Sequence, residues 1–397
     1  MSDHRKPPPR DWTFHPFEMA FCGYSGTGKT TLLSRLVPAL GMDLAYIKHG
    51  VHGFQMDRPG KDTDIMTRAG AGTVFISDPA GRALLRRGPF DPLRDPLDFL
   101  DRDGVLVEGH KGSPLPRIIV LDPERAILRD PAFRDRPPLA VTGPEKEAGV
   151  LPWAVPYFLR DDIPGIAAFV KKTWRERAAG IPLLGLVLTG GSSARMGRDK
   201  AALDYHGEAQ ADRAVSLLKG FCAEVFVSCR AEQADEPGRA GHPQIHDSHL
   251  GLGPLSGILS AQDRRPGAAW LVLACDLPFV DQAVLEALVR GRRPFSYATA
   301  FRGHQGLPEP LCAIYEPKSR ARFLQLLALD STCPRKMLIN SPVEILEPPG
   351  PRVLDNINSP DEREKARRDI LGPASLRRPG RASNPEKREE THHDIHR

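Results

Sequence analysis

Two stretches of this sequence carry residue types and spacings that could hold a chain of phosphates. The first is Gly23-Tyr-Ser-Gly-Thr-Gly-Lys-Thr30, which satisfies the pattern G-x-x-x-x-G-K-[ST] in full. It follows the apolar run FEMAFCGY and opens the helical pattern TTLLSRLVPAL, the context in which that pattern has a mechanism. Gly23, Gly26 and Gly28 let backbone amides turn inward around phosphate oxygens, with Thr27 and Thr31 beside them. Lys29 can reach the β- and γ-phosphates, and the Thr30 hydroxyl can ligate Mg²⁺. Glu108 ends the apolar run GVLVEG. It reads as a second metal-side carboxylate or as a plain strand-end acid. Lys48, His49, Asp57, Lys61 and Asp62 fall in segments expected at the carboxyl ends of strands, where α/β proteins bind ligands. Each suits a phosphate or partner contact and equally an ordinary surface position. No residue stands out as an arginine finger or as a positioner of water, so strong nucleotide hydrolysis is not implied.

The second stretch is Leu188-Thr-Gly-Gly-Ser-Ser-Ala-Arg-Met-Gly-Arg-Asp-Lys200. Gly190 and Gly191 follow an apolar run, but no lysine comes directly after them. Arg195 and Lys200 stand further on. That spacing suits a loop wrapped around an extended triphosphate, with two cations to neutralise charge that builds on a pyrophosphate leaving group. Asp276 ends the run AWLVLACD and is placed either to hold Mg²⁺ or to cap the next helix. Asp247 lies in QIHDSHLGLGPLSGILSA, where Gly251, Gly253 and Gly257 would let the backbone approach a base or ribose. His246 and His249 lack convincing ligand spacing and read as surface.

Two such loops need two sheets to carry them. The 397 residues suit two or three domains. Phe17–Tyr24 and Leu183–Gly191 each read as the first strand of a parallel sheet running into its loop. Further strands are expected at Leu44–His49, Thr73–Ser77, Gly104–Glu108, Arg117–Leu121 and Leu139–Val141 in the first block. In the second they are expected at Glu224–Cys229, Trp270–Asp276 and Phe295–Phe301. Helices are expected at Ile163–Ala179, Gln282–Arg290 and Ser319–Leu329. The alternation argues for α/β architecture throughout: a P-loop NTPase-like domain, then a Rossmann-like nucleotidyltransferase domain. The boundaries read as a polar lead-in over 1–16, a first domain over 17–179, a connector at 180–182, a second domain over 183–371 and a charged tail over 372–397. His392, His393 and His396 in that tail read as solvated.

Composition narrows the class. A formal charge of +5 against 105 charged side chains gives no reason to expect a nucleic-acid partner. Six scattered cysteines with no C-x-x-C pair argue against a structural zinc site and fit a reducing compartment, with Cys275 and Cys312 as small core residues. No leader-like stretch or membrane-length apolar run occurs. A cytoplasmic protein without a membrane partner is expected.

The assembled words are more specific than either loop. GYSGTGKTTLL, YIKHGVHGFQMDRPGKD, TRAGAGTVF and LVEGHKGSPLPRI resemble the molybdopterin-guanine dinucleotide biosynthesis adaptor family over about Phe17–Arg175. That resemblance implies a GTP-binding P-loop domain that dimerises and assists a guanylyltransferase. The family's KHxHH stretch reads Lys48-His49-Gly50-Val51-His52 here, one histidine short. The second loop, with GPLSG, ACDLPF, LPEPLCAIY, PRKMLIN and LDNINSPDE, resembles the molybdenum cofactor guanylyltransferase family over about Leu183–Leu371. By matching motif, the resemblance implies GTP contacts at Leu188, Thr189, Gly190, Lys200, Asp247 and Asp276. It implies Mg²⁺ on Asp276, and Arg195, Asn356 and Asn358 near the reacting phosphates.

Two departures stand out: LTGG where LAGG is usual, and Val227-Ser-Cys-Arg230 where a nucleotide-contacting asparagine is usual. ACDLP favours guanine over the cytidine relatives. The implied activity is GMP transfer from GTP to molybdopterin or Mo-molybdopterin, with molybdoenzyme apoproteins as further partners. The alternatives are a cytidylyl or sugar-phosphate transferase and a non-catalytic delivery module.

Overall fold

The computed structural model describes residues 11–50, 57–133, 136–145, 149–189, 200–357 and 359–371. Two sheets organise them. The first has the order β2 (Leu44–Lys48), β5 (Gly104–Glu108), β1 (Glu18–Cys22), β6 (Arg117–Val120), β7 (Ala140–Gly143), β8 (Tyr157–Leu159), with every pairing parallel. β1 and β5 are buried along their whole length, as strands covered on both faces must be. Helices α1 (Lys29–Leu40) and α3 (Ile163–Ala179) pack on one another and on this sheet.

α3 begins where Asp162 accepts from the Gly165 amide at 2.9 Å, with Pro164 in its first turn. Its buried face runs Ile163, Ile166, Val170, Trp174, the three-to-four-residue stripe of an amphipathic helix. The Trp174 ring occupies the space beside Gly104, where a Cβ would lie 2.7 Å from the ring. Gly104 is therefore a close-approach glycine.

The expected strand Thr73–Ser77 (β3) forms, but not in this sheet. It pairs antiparallel with β4 (Arg82–Arg86), which the sequence reading missed. Together with α2 (Asp62–Arg68) this hairpin exposes Ile65, Met66, Phe75, Ile76 and Leu84.

The second sheet has the order β11 (Gln244–His246), β10 (Val225–Cys229), β9 (Leu183–Leu188), β12 (Ala269–Ala274), β14 (Pro308–Tyr315), β13 (Ala298–Arg302), β15 (Glu344–Leu346). It is mixed, because β14 runs antiparallel to both β12 and β13. The sequence reading treated LPEPLCAIY only as a motif and missed this strand, along with β8, β11 and β15. α4 (Gln210–Lys219), α5 (Pro254–Arg264), α6 (Gln282–Arg290), α7 (Ser319–Leu327), α8 (Pro334–Ile339) and α9 (Pro360–Leu371) complete the unit. In each sheet the strand order reverses at the first strand, β1 or β9. The carboxyl end of that strand therefore lies at the crevice where α/β sheets take ligands.

The two sheets are joined by more than the chain between them. Leu100, 3% exposed, lies in the core of the second unit. Lys318, which precedes α7, is buried and donates to Leu100 O at 2.8 Å and Arg102 O at 3.0 Å. Burial lowers its ammonium to about 8. Tyr297 OH donates to Asp101 at 2.8 Å, and Arg293 to Asp103 at 2.8 Å. Phe17 meets Phe295 edge-on at 4.7 Å. Among the described residues no helix is long and apolar enough to cross a membrane.

Replacing Leu100 by Asp places an unpaired charge in this seat. Calorimetry of the native chain is expected to give one unfolding transition. The L100D chain is expected to give two, with faster proteolysis near 180–182.

Candidate functional site

The first loop is shaped by glycine. Gly26 and Gly28 take left-handed φ values of 77° and 80°, which side-chain-bearing residues avoid. At Gly23 a Cβ would meet Val120 O at 2.7 Å. Thr27 Oγ1 donates back to Tyr24 O at 3.0 Å and closes the turn. Lys29 Nζ donates to the same carbonyl at 2.7 Å, and burial lowers its ammonium despite the nearby Glu108 charge.

At the loop's outer edge Thr30 Oγ1 donates to the Glu108 carboxylate at 2.9 Å. Tyr46 OH donates to Glu108 at 2.7 Å, and Lys48 lies 3.3 Å from it. Burial would raise the Glu108 carboxyl, but hydrogen bonds from Tyr46, Thr30 and Lys48 outweigh it and hold it below its ordinary value. Glu108 therefore stays ionised beside a hydroxyl. A hard-oxygen pair facing a phosphate cradle fits Mg²⁺, which takes one or two protein ligands and fills its remaining positions with water and phosphate. Among the described residues there is no group of three or more His, Cys, Asp or Glu able to cage a metal by itself.

The loop glycines, Lys29, Thr30 and Glu108 line one cavity of about 1120 Å³ with Lys48, His49, His110, Lys111 and Ser113. His49 is among its walls. Asp57, Lys61 and Asp62 stand in the turn before α2 and at its start, and are not. His52 lies outside the described residues. Three cavity features were not read from the sequence. Gly109 and His110 have consecutive positive φ values of 100° and 55°. That turn sets the His110 ring 4.2 Å from His49, and burial lowers the His110 imidazole. Lys111 sits 3.7 Å over the Tyr24 ring, which puts a further cation beside the loop.

In the second unit, Gly190, Gly191, Arg195 and Asn358 lie outside the described residues. Lys200 opens a single helical turn, Lys200–Ala202. The stem of the loop is described. Leu188 ends β9, and Thr189 Oγ1 donates to Ser228 O at 2.7 Å. Arg239 is fully buried and grips the stem, donating to Thr189 Oγ1 at 3.0 Å and Thr189 O at 2.8 Å, with Glu236 at 2.6 Å as its counter-ion. The sequence reading missed Arg239, which carries no motif signal.

Asp247 follows β11 and accepts from Ser228 Oγ at 2.8 Å. Burial raises its carboxyl, and Ser228 partly offsets that. Gly257 lets α5 press onto this corner, since a Cβ there would lie 2.8 Å from the Leu188 side chain. Asp276 follows β12. Its carbonyl accepts from Ile357 N at 3.0 Å, which ties the loop bearing Asn356 to it. Asn356 lines a smaller cavity of about 320 Å³ with His304, Arg352 and Lys365. Glu309 on β14 is a second carboxyl here. Burial raises it and the Asp276 charge raises it further, while Leu311 N and Arg335 hold it the other way. Arg335 lies 3.3 Å from Glu309 and pairs with it. His246 is exposed beside Gln244, and His249 pairs with Asp263, so neither joins this group.

Comparison with known proteins follows the same division. The family described as molybdopterin guanine dinucleotide synthesis protein B matches residues 19–135. The family described as the MobA-like NTP transferase domain matches residues 185–344. The molybdopterin-guanine dinucleotide biosynthesis adapter protein of Escherichia coli is 32% identical over 173 residues, 41% of this chain and 95% of that protein. A probable molybdenum cofactor guanylyltransferase of Opitutus terrae is 36% identical over 199 residues, 47% of this chain and 95% of that protein. The chain belongs to both families. A molybdenum cofactor biosynthesis bifunctional protein of Synechocystis sp. is 37% identical over 182 residues. That match spans 46% of this chain and about half, 52%, of the relative's own length.

Arg239→Met keeps length but leaves Thr189 O and Oγ1 without a charged donor. It is expected to lower stability by about 2–3 kcal/mol, read by urea unfolding. A loss below about 0.5 kcal/mol would show that the stem does not depend on Arg239.

Proposed function

We propose that this chain is a bifunctional molybdenum cofactor biosynthesis protein. Its second domain, 183–371, transfers GMP from GTP to molybdopterin or Mo-molybdopterin. Its first, 17–179, binds GTP and assists, and 180–182 connects them. The observation that carries the reading is the convergence, at the carboxyl edge of one sheet, of the Thr189 stem, Asp247, Asp276 and the Asn356 loop.

In the reaction a terminal phosphate oxygen of molybdopterin forms a bond to the α-phosphorus of GTP. The bond from that phosphorus to the bridging oxygen breaks, and pyrophosphate leaves. The attacking group is already an anion, so no strong general base is required. The residues act by holding the two phosphates in line and neutralising charge. Leu188, Thr189, Gly190 and Gly191 hold the GTP phosphate chain, Lys200 and Arg195 offset charge on the leaving pyrophosphate, and Asp247 accepts from the base or ribose. Asn356 and Asn358 orient the acceptor. Asp276 would hold Mg²⁺, which when bound neutralises phosphate charge. In the first domain Gly23, Gly26, Thr27, Gly28, Lys29, Thr30 and Thr31 hold a second GTP, with Thr30 and Glu108 on the Mg²⁺ side. Two linked sites share a high effective concentration, which favours handing cofactor on to molybdoenzyme apoproteins.

Asp276→Ala or Lys200→Ala is expected to lower dinucleotide formation by two or more orders of magnitude with an unchanged thermal midpoint. Near-normal turnover in both would reject the assignment. Preference for CTP over GTP would indicate a cytidylyltransferase, and binding without pyrophosphate release a delivery module. The exposed Ile65, Met66, Phe75, Ile76 and Leu84 support self-association through the first domain. Sedimentation equilibrium is expected to show a dimer for the native chain and a monomer for Ile76→Asp. A native monomer would remove that partner.

A further inference from the structure

The order of the first sheet divides the space around the P-loop. β5 and β2 lie on one side of β1, and β6, β7 and β8 on the other. On the β5 side of the cavity Lys48, at the end of β2, lies 3.3 Å from Glu108, and the Thr30 hydroxyl donates to the same carboxylate. A triphosphate seated with its terminal phosphate there must direct its other end across the start of α1, toward β6 to β8.

Arg160 stands on that second side, directly after β8. Its amide donates to Gly143 O at 2.7 Å. Its side chain reaches back over the ends of β7 and β6, and Nη2 donates to Leu121 O at 2.8 Å. The guanidinium ends against the P-loop itself: a Cβ on Gly28 would lie 3.6 Å from Nη1 and 3.8 Å from Cδ. Nearby carboxylates are engaged elsewhere, Asp161 with Arg35 on α1 and Glu145 with Arg125. The Arg160 Nε–H is buried and has no hydrogen-bond partner. Arg160 is only half-buried, so the face of its guanidinium beside Gly28 is open to a ligand on the loop.

We propose that Arg160 contacts the nucleoside half of a nucleoside triphosphate held by the P-loop. Its planar guanidinium covers one face of the base. This rests on reading the P-loop as a nucleotide site, and the probes separate the two. Binding is measured on the full chain with Mg²⁺, using GTP and inorganic tripolyphosphate, which has no nucleoside. For each ligand, the component that Lys29→Ala abolishes is assigned to the P-loop.

Arg160→Ala is expected to weaken that component of GTP binding about tenfold. Tripolyphosphate affinity should stay within about twofold, with native circular dichroism retained. Arg160→Lys should recover little, because an ammonium cannot stack as a guanidinium does. Equal losses for both ligands would make Arg160 a phosphate or structural residue and overturn the inference. So would undiminished GTP binding. Absence of any Lys29-dependent binding in the native chain would instead overturn the P-loop reading, and this inference with it.

Discussion

Phosphate oxygens are held by backbone amides only where the chain turns tightly enough for several to converge, and side chains stand in the way of that turn. The structure is arranged around this constraint. Gly23, Gly26 and Gly28 shape the first loop through left-handed backbone and an approach to Val120 that excludes a side chain. The first loop follows a central parallel strand, β1, at the point where its sheet's order reverses, and β9 holds the equivalent place in the second sheet. The strands are buried hydrocarbon because their work is to fix where the turns begin. Polar side chains gather around that edge from segments distant in sequence: Glu108 and Lys48 beside the first loop, Asp247 and Asn356 at the carboxyl edge of the second sheet.

The two sites differ in how their charge is managed. In the first, Lys29 is held on a loop carbonyl and Glu108 is kept ionised by Tyr46, Thr30 and Lys48. Such a set offers a phosphate-sized cradle a cation on one side and an ionised carboxylate beside a hydroxyl on the other. In the second, the Glu309 carboxyl is raised by burial and held the other way by Leu311 N and by Arg335, which lies 3.3 Å from it. The docking of Leu100 beneath Lys318 lies at the amino end of β5, whose carboxyl end bears Glu108. One strand thus links the interface between the units to the first site.

Local signals carried much of this in the sequence. The P-loop needs a strand, three glycines, a lysine and a threonine within a short span, and all are visible there. Helices α3 and α6 were legible to the residue, because their apolar spacing and their caps at Asp162 and Asp281 are local. What stayed hidden depends on residues far apart. Arg239 grips Thr189 from 50 positions away, and nothing in its own segment announces it. β14 reads as an apolar run whose direction is set by its partners. β3 was legible as a strand, but its placement in an exposed hairpin was not, since that depends on β4. Cys275 and Cys312 do pack as small core residues, as their apolar surroundings implied.

The most direct measurement is incubation of the full chain with molybdopterin, GTP and Mg²⁺, following dinucleotide and pyrophosphate together. The account predicts equal amounts of the two, with both lost in Asp276→Ala and retained at least in part in Lys29→Ala. Pyrophosphate that never appears, or that appears equally with Asp276 replaced, would contradict it.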